Sequence, residues 1–109
     1  MGEDQFLAST MVVPYIKGVQ KNGVAACVKH YALNNQEVLR STINVKVSDR
    51  ALHEIYLPAF KAAVEEGDVW SIMGAYNKYQ GEYCCENKTL LKSFSKFFNV
   101  TRRIKWYRK

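Results

Sequence analysis

Two apolar runs in this chain end in the same way. Ala25-Ala26-Cys27-Val28 breaks into Lys29-His30-Tyr31, and Val69-Trp70-Ser71-Ile72-Met73 breaks into Gly74-Ala75-Tyr76-Asn77. Each reads as a buried strand, over 24–30 and 69–73, whose carboxyl end carries polar groups. Between them Leu52, Ile55, Tyr56, Ala59, Phe60 and Ala63 follow helical spacing and form one apolar stripe. Ser48 caps that helix, and Asp49 in its first turn suits the helix dipole. Pro58 is an anomaly within it, and Gly67 supplies a left-handed stop.

An earlier helix is predicted over residues 4–20. Leu7, Met11 and Tyr15 make one apolar row, and Val12, Ile16 and Val19 a neighbouring one. Pro14 should kink or divide this helix. Asn22-Gly23 is a turn signal. Residues 32–44 read as a polar loop, and Ile43 to Val47 as a short alternating extended piece. Asn87 caps a last helix with Leu90, Leu91, Phe94 and Phe98 on one face.

Strand, helix, strand at this spacing is a βαβ unit, hence an α/β fold with parallel strands and outer helices. In barrel-type α/β proteins the ligand-binding residues sit at the carboxyl ends of the strands. With 109 residues there is room for one small domain. Two or three parallel strands leave sheet edges bare, so the sequence reads as part of something larger.

The net charge of +6 suggests nucleic acid until it is located. Residues 1–92 hold ten Lys/Arg and ten Asp/Glu, whereas residues 93–109 hold six Lys/Arg and no acid. A basic terminal run of this kind is more often a solvated, disordered end than a phosphate-binding face. A small nucleic-acid binder stacking bases on Trp106 and Tyr107 is the competing reading, and it predicts steep salt dependence.

The remaining bulk features narrow the class further. No stretch of about 18 apolar residues exists, so no transmembrane helix or membrane partner is expected. The N-terminus lacks signal-peptide order, and Phe6 stands where a myristoylation site wants Ser or Thr. Cys27 is expected buried in the first strand, while Cys84 and Cys85 are too close to bridge without distortion. Reduced thiols in the cytoplasm are the simplest reading. A zinc set of Cys84, Cys85, His30 and His53 fits none of the usual spacings, so no metal or cofactor is expected.

Several motifs appear in a fixed order. They are Glu3-Asp4 before Phe6-Leu7, then the segment from Val28 through Lys29-His30-Tyr31-Ala32-Leu33-Asn34-Asn35-Gln36 to Glu37. Asp49 to Phe60 follows, and then Ile72-Met73-Gly74-Ala75-Tyr76-Asn77 with Gly81, Cys84 and Glu86-Asn87. Over about residues 3–92 the chain resembles glycoside hydrolase family 3, the β-glucosidase family. Gln5 departs from the family's usual Pro. The resemblance implies a partial (β/α)8 TIM-barrel fragment. It also implies a glucosyl subsite lined by Lys29, His30, Met73 and Tyr76, with a cis Lys29–His30 peptide. Lys29 supplies three donors and His30 both donates and accepts, which suits a pyranose with fixed hydroxyls. Ala32-Leu33-Asn34-Asn35 stands where N-acetylglucosaminidase members carry a Gly- and His-rich loop, which favours the glucosidase branch and leaves xylosidase or related specificities open.

The same resemblance exposes what is missing. A retaining glycosidase needs two carboxyl groups roughly 5–5.5 Å apart. The family's nucleophile is the Asp of a Ser-Asp-Trp segment, which this chain lacks. Ser48-Asp49 runs into Arg50 and opens a helix, and Asp68 precedes its strand. The family's acid/base Glu belongs to a later domain, and its upstream sugar-binding Asp and Arg are absent too. No residue here is therefore expected to be catalytic. The likeness stops after Leu91-Lys92, and Ser93 to Lys109 is expected to be out of frame or otherwise foreign, which would make the chain a gene remnant. The implied partners are a β-glucoside in the parent enzyme and the missing barrel and C-terminal segments. A non-catalytic sugar-binding or interaction module is the alternative.

Plainer readings stand beside these roles. Lys29 could be held by Glu37 or Glu82, and Met73 and Tyr76 could be packing groups. His53 reads as solvated, and Asn34, Asn35 and Gln36 as loop-holding residues.

Overall fold

The computed structural model describes residues 2–97 and 105–107. Phe98, Arg102, Arg103, Arg108 and Lys109 lie outside the described residues. The element order is α1 (Gln5–Gln20), β1 (Cys27–Tyr31), β2 (Asn44–Val45), α2 (Asp49–Ala51), a π-helical turn (Leu52–Tyr56) and α3 (Pro58–Glu65). Then follow β3 (Ser71–Gly74), β4 (Lys78–Tyr79), β5 (Glu82–Tyr83), α4 (Lys88–Phe97) and β6 (Lys105–Tyr107).

The main sheet has the order β1-β3-β6, all parallel, with Cys27 opposite Ser71 and Val28 opposite Ile72. The α/β fold with parallel strands is therefore as the periodicity predicts. β6 departs from the expected solvated end: the backbone of 105–107 pairs with Ser71, Ile72 and Met73. A second small sheet joins β2 in parallel to the β4–β5 hairpin. Its two-residue turn has positive φ at Gln80 (50°) and Gly81 (88°), the left-handed pair that matches strand twist.

α1 begins where predicted because Asp4 accepts the Phe6 and Leu7 N–H groups at 2.8 and 3.1 Å. It runs unbroken through Pro14 to Gln20, so the expected division does not occur. Val12 and Ile16 are buried, but Leu7, Met11 and Tyr15 are exposed. α1 packs on α3 along one row only, which leaves the second row uncovered.

The segment after Ser48 is not one regular helix. Leu57 N–H donates to Leu52 C=O at 2.9 Å, an i→i−5 bond that adds a residue to the turn. Pro58 then opens α3 at a position that needs no N–H donor. The inserted residue rotates the stripe, so Leu57 is buried and Ile55 is 51% exposed.

Gly67 is not the left-handed residue; Asp68 is, at φ 52°. Glycine is required at 67 for space, since a Cβ there would stand 2.7 Å from Ala63 O and 3.1 Å from Ile16 Cδ1. Gln20 then clips the next loop, donating through Nε2 to Asp68 C=O and accepting the Trp70 N–H, both at 2.9 Å.

The core gathers Ile16, Tyr31, Leu52, Ala63, Ile72, Tyr79 and Leu90 between the sheet and the helices. Tyr31 belongs to it rather than to the polar rim. Its ring meets Phe60 and Phe94 edge-on at 5.1 and 5.8 Å, and its hydroxyl donates to Leu90 C=O at 3.0 Å. Burial pushes the Tyr31 phenol well above its ordinary pKa, with Cys84 adding to the rise. Cys27, expected to be buried, is exposed: it alternates with Val28 on β1 and shares a side with Lys29.

Candidate sugar-binding rim

β1 and β3 end side by side, and this juxtaposition builds the site. Val28 faces Ile72 and Tyr31 faces Gly74, with a register shift between them, so Lys29 and His30 together stand against Met73. The Lys29–His30 peptide is cis, as is Tyr31–Ala32. Lys29 is exposed, and His30, Met73 and Tyr76 are half-buried. All four residues singled out from the sequence thus stand at the carboxyl ends of two adjacent parallel strands.

Buried polar bonds lock these strand ends together. Ala75 N–H donates to Tyr31 C=O at 2.7 Å. Asn77, fully buried, donates through Nδ2 to Ala32 C=O at 3.2 Å, and the buried Cys84 thiol donates to the same carbonyl at 3.3 Å. Burial pushes the Cys84 thiol upward in pKa despite these bonds. The Gly74 Cα has no room for a Cβ because Cys85 Sγ fills that place. Asn87 Nδ2 donates to Tyr79 C=O at 2.8 Å while its Oδ1 caps α4 on Leu90 N–H at 3.0 Å.

The loop after β1 adds a residue the sequence reading passed over. Arg40 lies over the Tyr76 ring with its guanidinium carbon 5.5 Å from the centroid. It is ion-paired to Glu37 at 2.6 Å. Its signal in the sequence is the acid–base pair at i,i+3 just beyond the Asn34-Asn35-Gln36 run. Burial pushes the His30 imidazole below its ordinary pKa; Lys29 lowers it further, Glu37 opposes the drop, and Arg40 adds to it.

Other plain alternatives resolve locally. Glu37 is engaged with Arg40, and Glu82 Oε2 accepts the Lys88 N–H at 3.4 Å, so neither is given to Lys29. His53 is not simply solvated: its Nδ1 stands 2.8 Å from Asp49 C=O and its Nε2 3.5 Å from the Ser93 hydroxyl, linking two helical segments. Asn34 and Gln36 hold the loop, Asn34 Nδ2 on Glu37 Oε1 and Gln36 Nε2 on Val38 C=O. Among the described residues no cluster of His, Cys, Asp and Glu is arranged to hold a metal ion, and no helix is long and apolar enough to cross a membrane.

Lys29, His30 and Met73 thus stand on two neighbouring strand ends, with Tyr76 just beyond β3 under the Arg40 guanidinium. Beyond the rim, β6 carries Lys105, Trp106 and Tyr107 alongside β3, with no carboxylate among them.

Comparison with known proteins agrees with this architecture. Residues 1–96 match the family described as the glycosyl hydrolase family 3 N terminal domain. Beta-glucosidase BoGH3A of Bacteroides ovatus is 71% identical over 90 residues, which cover 83% of this chain and 12% of that protein. Thermostable beta-glucosidase B of Acetivibrio thermocellus is 51% identical over 89 residues, covering 82% of this chain and 12% of its own length. Beta-glucosidase 3B from Thermotoga neapolitana, solved in complex with glucose, superposes with a TM-score of 0.88 at 42% identity, covering 96% of this chain and 15% of that one. The chain spans about 12% of the curated relatives' length, and what it spans is a piece of a (β/α)8 barrel. On residues 1–96 the chain belongs to glycosyl hydrolase family 3, as part of its N-terminal domain.

Proposed function

We propose that this chain is the sugar-holding portion of a β-glucosidase-like glycosidase barrel, with Lys29, His30, Met73 and Tyr76 as the substrate contacts and Arg40 beside them. The observation that carries the reading is the placement of both residue pairs on neighbouring parallel strand ends. The whole enzyme would hydrolyse terminal β-D-glucosidic bonds with retention, through a carboxylate nucleophile and a separate acid/base. Neither is assigned to this chain, which has no Ser-Asp-Trp segment. The remaining barrel segments and a C-terminal domain would supply them.

In this reading the family portion, expected to end at residue 92, runs to residue 96, and the rest of the basic stretch is a foreign tail. If no other frame of the DNA beyond codon 92 encodes the next family strand, the tail assignment fails. All three cysteines are free, which supports a reducing, cytoplasmic setting.

The test of function has two arms. The isolated chain should bind glucose at Lys29, His30 and Tyr76, read as shifts of their magnetic resonance signals, and release no nitrophenol from a nitrophenyl glucoside. Release of nitrophenol, or glucose shifts confined to other residues, overturns the reading. Binding to nucleic acid that weakens steeply with salt and vanishes without residues 93–109 would favour the basic-tail reading instead.

A further inference from the structure

Glu37 stands three residues before Arg40 in the loop between β1 and β2, and two bonds tie the pair. The Arg40 N–H donates to Glu37 C=O at 3.3 Å, and the Arg40 Nη1 lies 2.6 Å from Glu37 Oε2. The other carboxylate oxygen, Oε1, accepts from Asn34 Nδ2 at 3.5 Å. Between them Leu39 takes a left-handed conformation at φ 55°, which turns the chain back on itself. The guanidinium tethered in this way is the one lying over Tyr76.

An exposed ion pair contributes little to stability, and this one is largely exposed on both sides. Its consequence is orientation. An untethered arginine samples many rotamers and loses that freedom when it engages a ligand. A guanidinium already fixed has little left to lose. Glu37 also acts on His30 against the combined influence of Lys29 and Arg40.

We propose that Glu37 is a positioning residue, whose carboxylate fixes the Arg40 guanidinium over the Tyr76 ring and so presets the donor array of the sugar-binding rim. Both of its oxygens are engaged within the loop, so it works through Arg40 and not by touching the sugar. The inference rests on the sugar-holding function proposed above.

The experiment uses the full 109-residue chain with Glu37→Gln and Glu37→Asp. Three readouts are taken by magnetic resonance: the Arg40 Nε–H and Tyr76 ring signals, the His30 titration midpoint, and glucose affinity. Glu37→Gln should move the Arg40 and Tyr76 signals together, lower the His30 midpoint, and weaken glucose binding about 3–10-fold through lost preorganisation. Glu37→Asp keeps the charge and should restore the His30 midpoint and part of the affinity. A merely structural role would lower the thermal midpoint without moving the Arg40 and Tyr76 signals; those signals unchanged in Glu37→Gln overturn the proposal whatever the His30 midpoint does, because loss of the carboxylate charge by itself lowers it. If the wild-type chain binds no glucose, the sugar-holding function falls on its own account. The Arg40 and Tyr76 signals then decide whether Glu37 positions.

Discussion

The Arg40 guanidinium sits over the Tyr76 ring, joining the loop after β1 to the loop after β3. At an exposed position such a contact is worth about 0.5–1 kcal/mol. Losing Arg40 also removes a charged donor, so Arg40→Ala should weaken glucose binding by the isolated chain about 10-fold, at least as much as Glu37→Gln does. Tyr76→Leu should cost at least as much, and the double variant should show coupling. Additive losses in a calorimetric titration would mean the two side chains act separately.

Acid should destabilise the chain through His30. Its imidazole is held below the ordinary value of 6.5, mainly by burial. The unfolded chain then binds more protons than the folded one between the folded pKa and 6.5, so stability rises with pH across that window. Thermal midpoints should fall as pH drops from about 7 to 5, and His30→Gln should flatten the profile. An unchanged slope in the variant would place the pH dependence elsewhere.

Two glycines should respond oppositely to alanine. Gly18 lies within α1 with nothing near a built Cβ, so Gly18→Ala should stabilise by about 0.5–1 kcal/mol. Gly67 has Ala63 O in that place, so Gly67→Ala should destabilise by about 1–3 kcal/mol. Urea denaturation of the two variants measures both.

Thiol labelling should be ordered by burial. Cys27 is exposed, whereas Cys84 is 1% exposed, its thiol bonded to Ala32 C=O and its pKa raised by burial. Peptide mapping after brief alkylation should find Cys27 modified and Cys84 protected until denaturant is added. Equal labelling of the two would mean that the Asn77–Cys84 lock is open in solution.

The uncovered row of α1 should make the chain prone to association. Phe6 is 74% exposed and Tyr15 68%, and an apolar groove of about 690 Å³ runs between α1, β1 and α3. Leu7→Lys with Met11→Lys should reduce binding of a hydrophobic dye and raise the monomer fraction in sedimentation. No change in either would place the sticky surface elsewhere.

Much of this was legible in the chain itself. Ser48 and Asn87 cap their helices because a short polar side chain before an apolar stripe has a backbone donor within reach whatever surrounds it. The strands at Lys29-His30 and Met73 follow from apolar runs that end in polar groups. What local pattern misread were packing outcomes. Pro14 sits in an unbroken helix, and Pro58 is absorbed by a π-helical turn that exposes Ile55. Tyr31 was counted with the rim, yet Phe60 and Phe94 draw it into the core.

Sequence alone determined the βαβ order and the caps, because periodicity and capping are properties of neighbours along the chain, and the family resemblance singled out Lys29, His30, Met73 and Tyr76. Only tertiary structure decided that Arg40 covers Tyr76, that Glu37 holds Arg40, and that Cys27 faces outward. Those outcomes depend on how β1, β3 and their loops meet in space, and residues distant in sequence carry no local pattern that announces their contact.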